Sequence, residues 1–374
     1  MNLIEFGTIS HIKKGKKPLR QIDKPQDGYM PYVDIEAFET GNIKMYTDGE
    51  KCLPCKTGDI LIVCDGSRSG FVGKAIDGYV GSTLAIIAAD GMSQEYLYYF
   101  LQGKYALLNT KKKGTGTPHL DANILNQQKL VVPSIEDQKL VVAKIEELFS
   151  KLDNGVETLK KTKQQLVVYR QAVLKKAFDE IKEYVPLGQI TSSRLGKMLD
   201  KEKNTGVLQP YLRNINVRWF SFDLSDLLEM RIEPNEHEKY SISKGDLIIC
   251  EGGEPGRCAI WEEDDTMFYQ KALHRVRFTN GSNPKFYMYY LWFAAQTGKL
   301  TPFFTGMGIK HLTGQSLVKV PVPNTSRGHQ DCVIEEIESR LSVCDSIEKT
   351  VDTALQQAEA MRQSILKKAF EGDL

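Results

Sequence analysis

An internal repeat constrains this chain more than any other feature it carries. Near its middle the sequence runs Arg170-Gln171-Ala172-Val173-Leu174-Lys175-Lys176-Ala177-Phe178-Asp179. At its end it runs Arg362-Gln363-Ser364-Ile365-Leu366-Lys367-Lys368-Ala369-Phe370-Glu371. The displacement is 192 residues (170 to 362), about half of the 374-residue chain, and Gln138 maps on Gln330 at the same displacement. Other pairs follow in order. Pro31-Tyr32 answers Pro210-Tyr211, and Gly58-Asp59-Ile60-Leu61-Ile62 answers Gly245-Asp246-Leu247-Ile248-Ile249. Gly114-x-Gly116-x-x-His119-Leu120 answers Gly306-x-Gly308-x-x-His311-Leu312, and Val131-Val132-Pro133 answers Pro321-Val322-Pro323. Chance does not supply so many matches in one order. The fold must therefore accommodate two copies of one plan, each a globular part followed by a helical part.

The helical parts carry the 4-3 apolar spacing of a coiled coil. Val141, Ile145, Leu148, Leu152, Leu159 and Leu166 form the expected seam of the first helix; Val333, Ile337, Ile347, Val351 and Ile365 form that of the second. Ser134 and Ser326 are placed to cap the helix starts, and Pro133 and Pro323 to end the preceding strands. A helix of ~40 residues is ~60 Å long and overhangs any small domain. Connectivity favours an antiparallel pair with Val141 near Ile365 and Val173 near Val333, because only Glu183-Tyr184-Val185-Pro186 separates the first helix from the second globular part.

Short β-rich runs, 59–64, 83–88, 246–250 and 273–278, dominate the globular parts, each followed by one helix, near 94–108 and 284–297. The expected class is α+β: two repeated β-rich domains separated by two long helices that form an antiparallel coiled coil with approximate two-fold symmetry. The expected divisions are a domain over 1–133, a helical region over 134–182, a second domain over 183–323 and a second helical region over 324–374.

Composition narrows the chemistry. Lysine and arginine number 49 against 48 acids, a net charge of +1, so the chain is no bulk polycation. Basic clusters are local: Lys13, Lys14, Lys16, Lys17 and Arg20, then Lys111, Lys112 and Lys113. No run approaches the ~20 apolar residues of a membrane span, and the first residues lack the order of a signal peptide. With seven scattered cysteines, this places the expected location in the cytoplasm. Cys52 and Cys55 form a C-x-x-C, but no second ligand pair follows, so no metal site is expected. The segment from Gly66 to Lys74 misplaces the glycine of a phosphate loop and has Ala75 where the magnesium-binding hydroxyl belongs. No Asn-Pro-Pro-aromatic or Phe-x-Gly-x-Gly methyltransferase motif occurs, and no nuclease arrangement of two acids and a lysine, so no catalytic residue is expected.

Three stretches carry a family likeness: 210–216 (Pro210-Tyr211-Leu212-Arg213-Asn214-Ile215-Asn216), 245–257 (Gly245-Asp246 through Gly256-Arg257) and 270–275 (Gln270-Lys271-Ala272-Leu273-His274-Arg275). With the repeated helices, they make the whole chain resemble the specificity subunit of type I restriction–modification systems. The usual Glu-Gln that opens each helix is here Asp137-Gln138 and His329-Gln330. The resemblance implies two target-recognition domains that each read one half of a split, asymmetric DNA site, and a coiled coil that spaces them. It also implies two modification subunits carrying S-adenosylmethionine and two restriction/translocase subunits using ATP and Mg, with no cofactor on this chain. The alternatives are a coiled-coil adaptor for protein partners, a type II-like specificity subunit of another DNA methyltransferase complex, and an enzyme with an unrecognised site.

Base readout needs side chains that discriminate base edges. The turn-rich loops offer Arg68, Lys111, Lys112, Lys113, Thr115, Thr117 and His119 in the first half, and Arg213, Asn214, Arg257, Lys310 and His311 in the second. Asp65-Gly66-Ser67-Arg68 stands where the second half has Glu251-Gly252-Gly253-Glu254, which suggests that the halves read different bases.

Overall fold

The computed structural model describes residues 3–111, 113, 118–200 and 204–374. Lys112, Thr115 and Thr117 lie outside the described residues. The chain divides into two compact units, Met1–Lys160 with Asp352–Leu374, and Lys161–Val351. Each unit takes part of both long helices, so the division runs through them rather than at their ends.

In the first unit the strands are β1 (Ile4–Glu5), β2 (Ser10–Lys14), β3 (Met30–Val33), β4 (Tyr46–Thr47), β5 (Pro54–Cys55), β6 (Ile60–Val63), β7 (Val72–Lys74), β8 (Gly78–Val80), β9 (Leu84–Ala89) and β10 (Lys129–Leu130). Its helices are α1 (Ile35–Thr40), α2 (Gln94–Thr110), α3 (Ala122–Asn126) and the first part of α4 (Ile135–Asp179). The strands form sheets in the orders β2-β9-β6-β7, β4-β3-β8-β5 and β1-β10.

The second unit repeats this plan strand for strand. It contains β11 (Tyr184–Pro186), β12 (Thr191–Leu195), β13 (Val207–Leu212), β14 (Leu228–Ile232), β15 (Ser241–Ile242), β16 (Leu247–Cys250), β17 (Cys258–Ile260), β18 (Met267–Tyr269), β19 (Leu273–Phe278) and β20 (Pro321–Pro323). Its helices are α5 (Leu187–Ile190), α6 (His237–Tyr240), α7 (Pro284–Gln296), α8 (Gly314–Leu317) and part of α9 (Arg327–Glu371). The sheet orders are β12-β19-β16-β17, β14-β13-β18-β15 and β11-β20.

The repeated Gly-Asp followed by an apolar run has a direct structural cause. Gly58 and Gly245 turn the chain at φ 96° and 89°, a region that favours glycine. Asp59 and Asp246 close the turn, accepting the N–H of Lys56 and of Ser243, each at 2.8 Å. The apolar run is continuous because β6 and β16 are buried on both faces. Ile60 and Ile62 pack against α2, while Leu61 and Val63 fill a second core with Val33 and Val80. Leu247 and Ile249 pack likewise with α7, and Ile248 and Cys250 with Trp261 and Tyr269.

The long helices α4 and α9 have 45 residues each. Ser134 caps α4 by accepting the Asp137 N–H at 3.2 Å, and Ser326 caps α9 by accepting that of His329 at 3.4 Å. In the first unit the start of α4 packs on the end of α9: Ile145 and Phe149 meet Leu366 and Ala369, flanked by Val141 and Ile365. In the second unit the end of α4 packs on the start of α9, with Val173 and Leu174 against Val333, Ile334 and Ile337. Both contacts make the pairing antiparallel. Leu166 and Val351 are buried, and Leu148, Leu152 and Leu159 are half-buried.

The apolar seam expected from heptad spacing departs from the structure at one level. Ile347 is exposed, and the half-buried Glu348 takes its place; across the pair, Tyr169 is exposed and Arg170 turns inward. Arg170 donates to Glu348 at 2.7 Å and to Asp345 at 2.6 Å. A straight α-helix drifts against a strict seven-residue repeat. Here the drift brings a charged layer into the seam.

No helix among the described residues is long and apolar enough to cross a membrane.

Candidate nucleic-acid interface

In the first half the loop after β6 meets the segment that follows α2. The Gly66 N–H donates to the Pro118 carbonyl at 2.8 Å, and the Leu120 N–H to that of Cys64 at 2.8 Å. Lys113 and His119 exchange both backbone hydrogen bonds, at 2.9 and 2.8 Å. Asp65 lies between Lys14, at 2.7 Å on one oxygen, and His119 Nδ1, at 2.7 Å on the other. Burial pushes this carboxyl up, but Lys14 and His119 outweigh it and leave it below the ordinary value. Lys113 pairs with Asp121 at 2.9 Å, and Arg68 pairs with Glu39 at the end of α1. Lys111 ends α2 and is exposed, as are Lys13, Lys16 and Lys17 beside β2.

In the second half three loops converge in the same way. The Leu312 N–H donates to the Glu251 carbonyl at 2.6 Å, and the Asn214 amide donates to the Gly252 carbonyl. Thr305 and His311 exchange backbone hydrogen bonds at 2.8 and 2.9 Å, as Lys113 and His119 do in the first half. A methyl group on Gly252 would lie 3.0 Å from His311 Nδ1. Between them the loop tip exposes Met307, Ile309 and Lys310. Apolar and cationic groups of this kind suit thymine methyls and phosphates.

The structure sorts the residues singled out from the sequence. Arg68, Lys111, Lys113, His119, Lys310 and His311 have exposed or half-exposed side chains on the paired loops. Arg213 is turned inward, donating to the Asp226 carboxylate at 2.7 Å and to its carbonyl at 2.8 Å. Arg257, expected to reach a base, is engaged within the protein. Its side chain is 16% exposed, and it donates to Glu254 at 3.0 Å and to the Asn214 carbonyl at 3.0 Å. It holds two loops together. Sequence reading missed Trp219, and it met Lys14, Asp65 and Glu254 only as members of a basic cluster and of the two compared loop segments. The Trp219 indole N–H donates to Glu254 at 2.6 Å, a contact that no local motif announces.

Cys55 is buried and donates to the Ile76 carbonyl at 3.4 Å, and burial pushes its thiol up to about 12. Among the described residues no group of three or more His, Cys, Asp or Glu side chains is placed to hold a metal.

Residues 1–167 match the family model of the type I restriction modification DNA specificity domain. Over its full length the chain is 23% identical to the MjaVIII specificity subunit of a type I restriction enzyme from Methanocaldococcus jannaschii, covering 92% of that protein. It is 22% identical to the EcoKI specificity subunit of Escherichia coli K12, over 98% of this chain and 84% of that one. Among solved structures, a chain of a type I R-M system superposes with a TM-score of 0.77 at 17% identity, covering 100% of this chain and 98% of that one. The HsdS subunit of Thermoanaerobacter tengcongensis superposes with a TM-score of 0.60 at 16% identity, covering 100% and 97%.

Proposed function

We infer that this chain belongs to the DNA specificity family of type I restriction–modification systems, and that it is the sequence-specific DNA-recognition subunit of such a complex and performs no chemistry of its own. The observation that carries this reading is the repetition of the paired loops. The loops after β6 and β16 sit on the same scaffold, yet the first presents Asp65 and Arg68 and the second presents Glu254. A matched scaffold with unmatched polar groups suits two half-sites of different sequence, because base edges are told apart by their donors and acceptors. Lys111 and Lys113, with the lysines near β2, supply phosphate contacts that position without selecting. On this reading the partners are modification subunits that carry S-adenosylmethionine and restriction subunits that use ATP and Mg. The repeated helices offer two equivalent places for each.

The test is to reconstitute the chain with its modification subunit and map the methylated adenines across a genome. The expected result is one split, asymmetric site, with two modification subunits per chain by mass measurement. Methylation or binding without sequence preference would overturn the reading.

A further inference from the structure

We propose that Glu254 and Arg68 occupy one equivalent position in the two repeats, and that this position selects a base by charge: Glu254 accepts from an exocyclic amino group, and Arg68 donates to a guanine edge. The inference rests on the DNA-reading function above.

The equivalence comes from backbone geometry. The Phe71 N–H donates to the Arg68 carbonyl at 3.0 Å, and the Arg257 N–H to the Glu254 carbonyl at 3.1 Å. Gly70 donates to Val63 at 2.8 Å, and Gly256 to Cys250 at 3.0 Å. Both of these glycines have φ near 90°, 92° and 93°, and Gly66 and Gly253 are also in the left-handed region. Between Val63 and Gly70 the first loop is one residue longer than the second is between Cys250 and Gly256, but on the side of Phe71 and Arg257 the two close alike and carry opposite charges at the same place.

Glu254 is held as a reading group must be held. One oxygen accepts the Trp219 indole N–H at 2.6 Å, and the other accepts from Arg257 at 3.0 Å. Its side chain is still 53% exposed. Each carboxylate oxygen keeps a second lone pair, so the group presents acceptors in a fixed orientation. A carboxylate facing DNA is repelled by phosphate, and the contact that offsets this is the amino group of cytosine. Arg68 is held from one side by Glu39, with half of its side chain exposed. Its guanidinium has five donors, enough to keep Glu39 and still address a guanine edge.

The test uses the full chain with its modification subunit and a library of duplexes randomised across the recognised site. Glu254→Gln keeps the shape and replaces an acceptor-only group with an amide. It is expected to relax one base pair in one half-site, on the order of ten- to a hundred-fold in discrimination, with the other half-site unchanged. Arg68→Ala is expected to relax one base pair in the opposite half-site. If Glu254→Gln and Glu254→Ala both keep the wild-type base preference while only stability falls, Glu254 merely holds Trp219 and Arg257, and the proposal is wrong. If Arg68→Ala weakens all sequences equally and lowers the salt slope, Arg68 is a phosphate contact and the proposal is equally wrong. A wild-type complex without base preference would instead refute the DNA-reading function itself.

Discussion

The side-chain oxygen of Gln330 accepts the backbone N–H of Asn283 at 2.7 Å, while its amide donates to the Thr325 carbonyl at 3.0 Å. The repeat makes the same tie: Gln138 accepts the Ser93 N–H at 2.8 Å and donates to the Pro133 carbonyl at 3.1 Å. Ser93 and Asn283 are the N-caps of α2 and α7, so a glutamine in the first turn of each long helix secures the start of the domain helix. Both glutamines are buried. Gln330→Ala leaves a buried N–H without a partner and is expected to cost about 1–3 kcal/mol, measured by urea denaturation. A cost within error would refute the tie.

The charged layer in the seam predicts a coupling. Arg170 is 19% exposed and reaches Glu348 across the helix pair. A double-mutant cycle with Arg170→Ala and Glu348→Ala is expected to give about 0.5–1 kcal/mol. The coupling is expected to shrink in 1 M salt, where the Debye length is ~3 Å. Additive losses would mean that the layer is only tolerated.

The parts of the fold legible in the sequence are those with a local cause. Gly58-Asp59 and Gly245-Asp246 announce a turn, and the unbroken apolar runs behind them announce strands buried on both faces. The seam was legible except where Glu348 replaces Ile347, because heptad counting cannot see a partner arginine on another helix. The paired loops were legible as loops through their repeated glycines. Which side chain faces out was not. Arg257 looks free in sequence but is engaged by Asn214 and Glu254, and the Trp219–Glu254 contact joins residues 35 apart.

His274 gives the second half a sensitivity to acid. Its ring nitrogen Nε2 lies 2.9 Å from the Leu312 carbonyl, and burial lowers its pKa. A lowered folded-state pKa means that the fold prefers the neutral ring. Its contribution is full above the unfolded value of ~6.5 and is lost as pH falls through the folded one. Between pH 7.5 and 5.5 the wild type is expected to lose more stability than His274→Asn, as read by denaturant midpoints. Parallel curves would remove His274 as the cause.

The basic segment makes a salt prediction. Lys111→Ala is expected to weaken binding to every sequence and lower the slope of log affinity against log salt by up to ~0.9. Lys113→Ala is expected to do less, since its ammonium is already paired with Asp121 at 2.9 Å and must exchange that partner for phosphate. Lost preference at one base pair with an unchanged slope would contradict both assignments.

The two copies of one phenylalanine are expected to differ in weight. Phe178 is fully buried, with ring centroids of Phe286, Tyr290 and Phe293 at 5.4, 5.4 and 5.6 Å. Phe370, its counterpart, has Tyr96 at 5.0 Å and Phe100 at 5.5 Å but remains half-buried. Deleting a ring costs its transfer energy and the cavity left behind, about 3–5 kcal/mol for a closed site. A site open to solvent costs less, because water fills the space. Phe178→Ala is therefore expected to approach the full loss and to speed amide exchange in α7. Phe370→Ala is expected to lose less stability and to speed exchange in α2. The comparison holds sequence context nearly constant, since Leu-Lys-Lys-Ala precedes both rings. Equal losses would mean that burial in the folded domain does not set the difference.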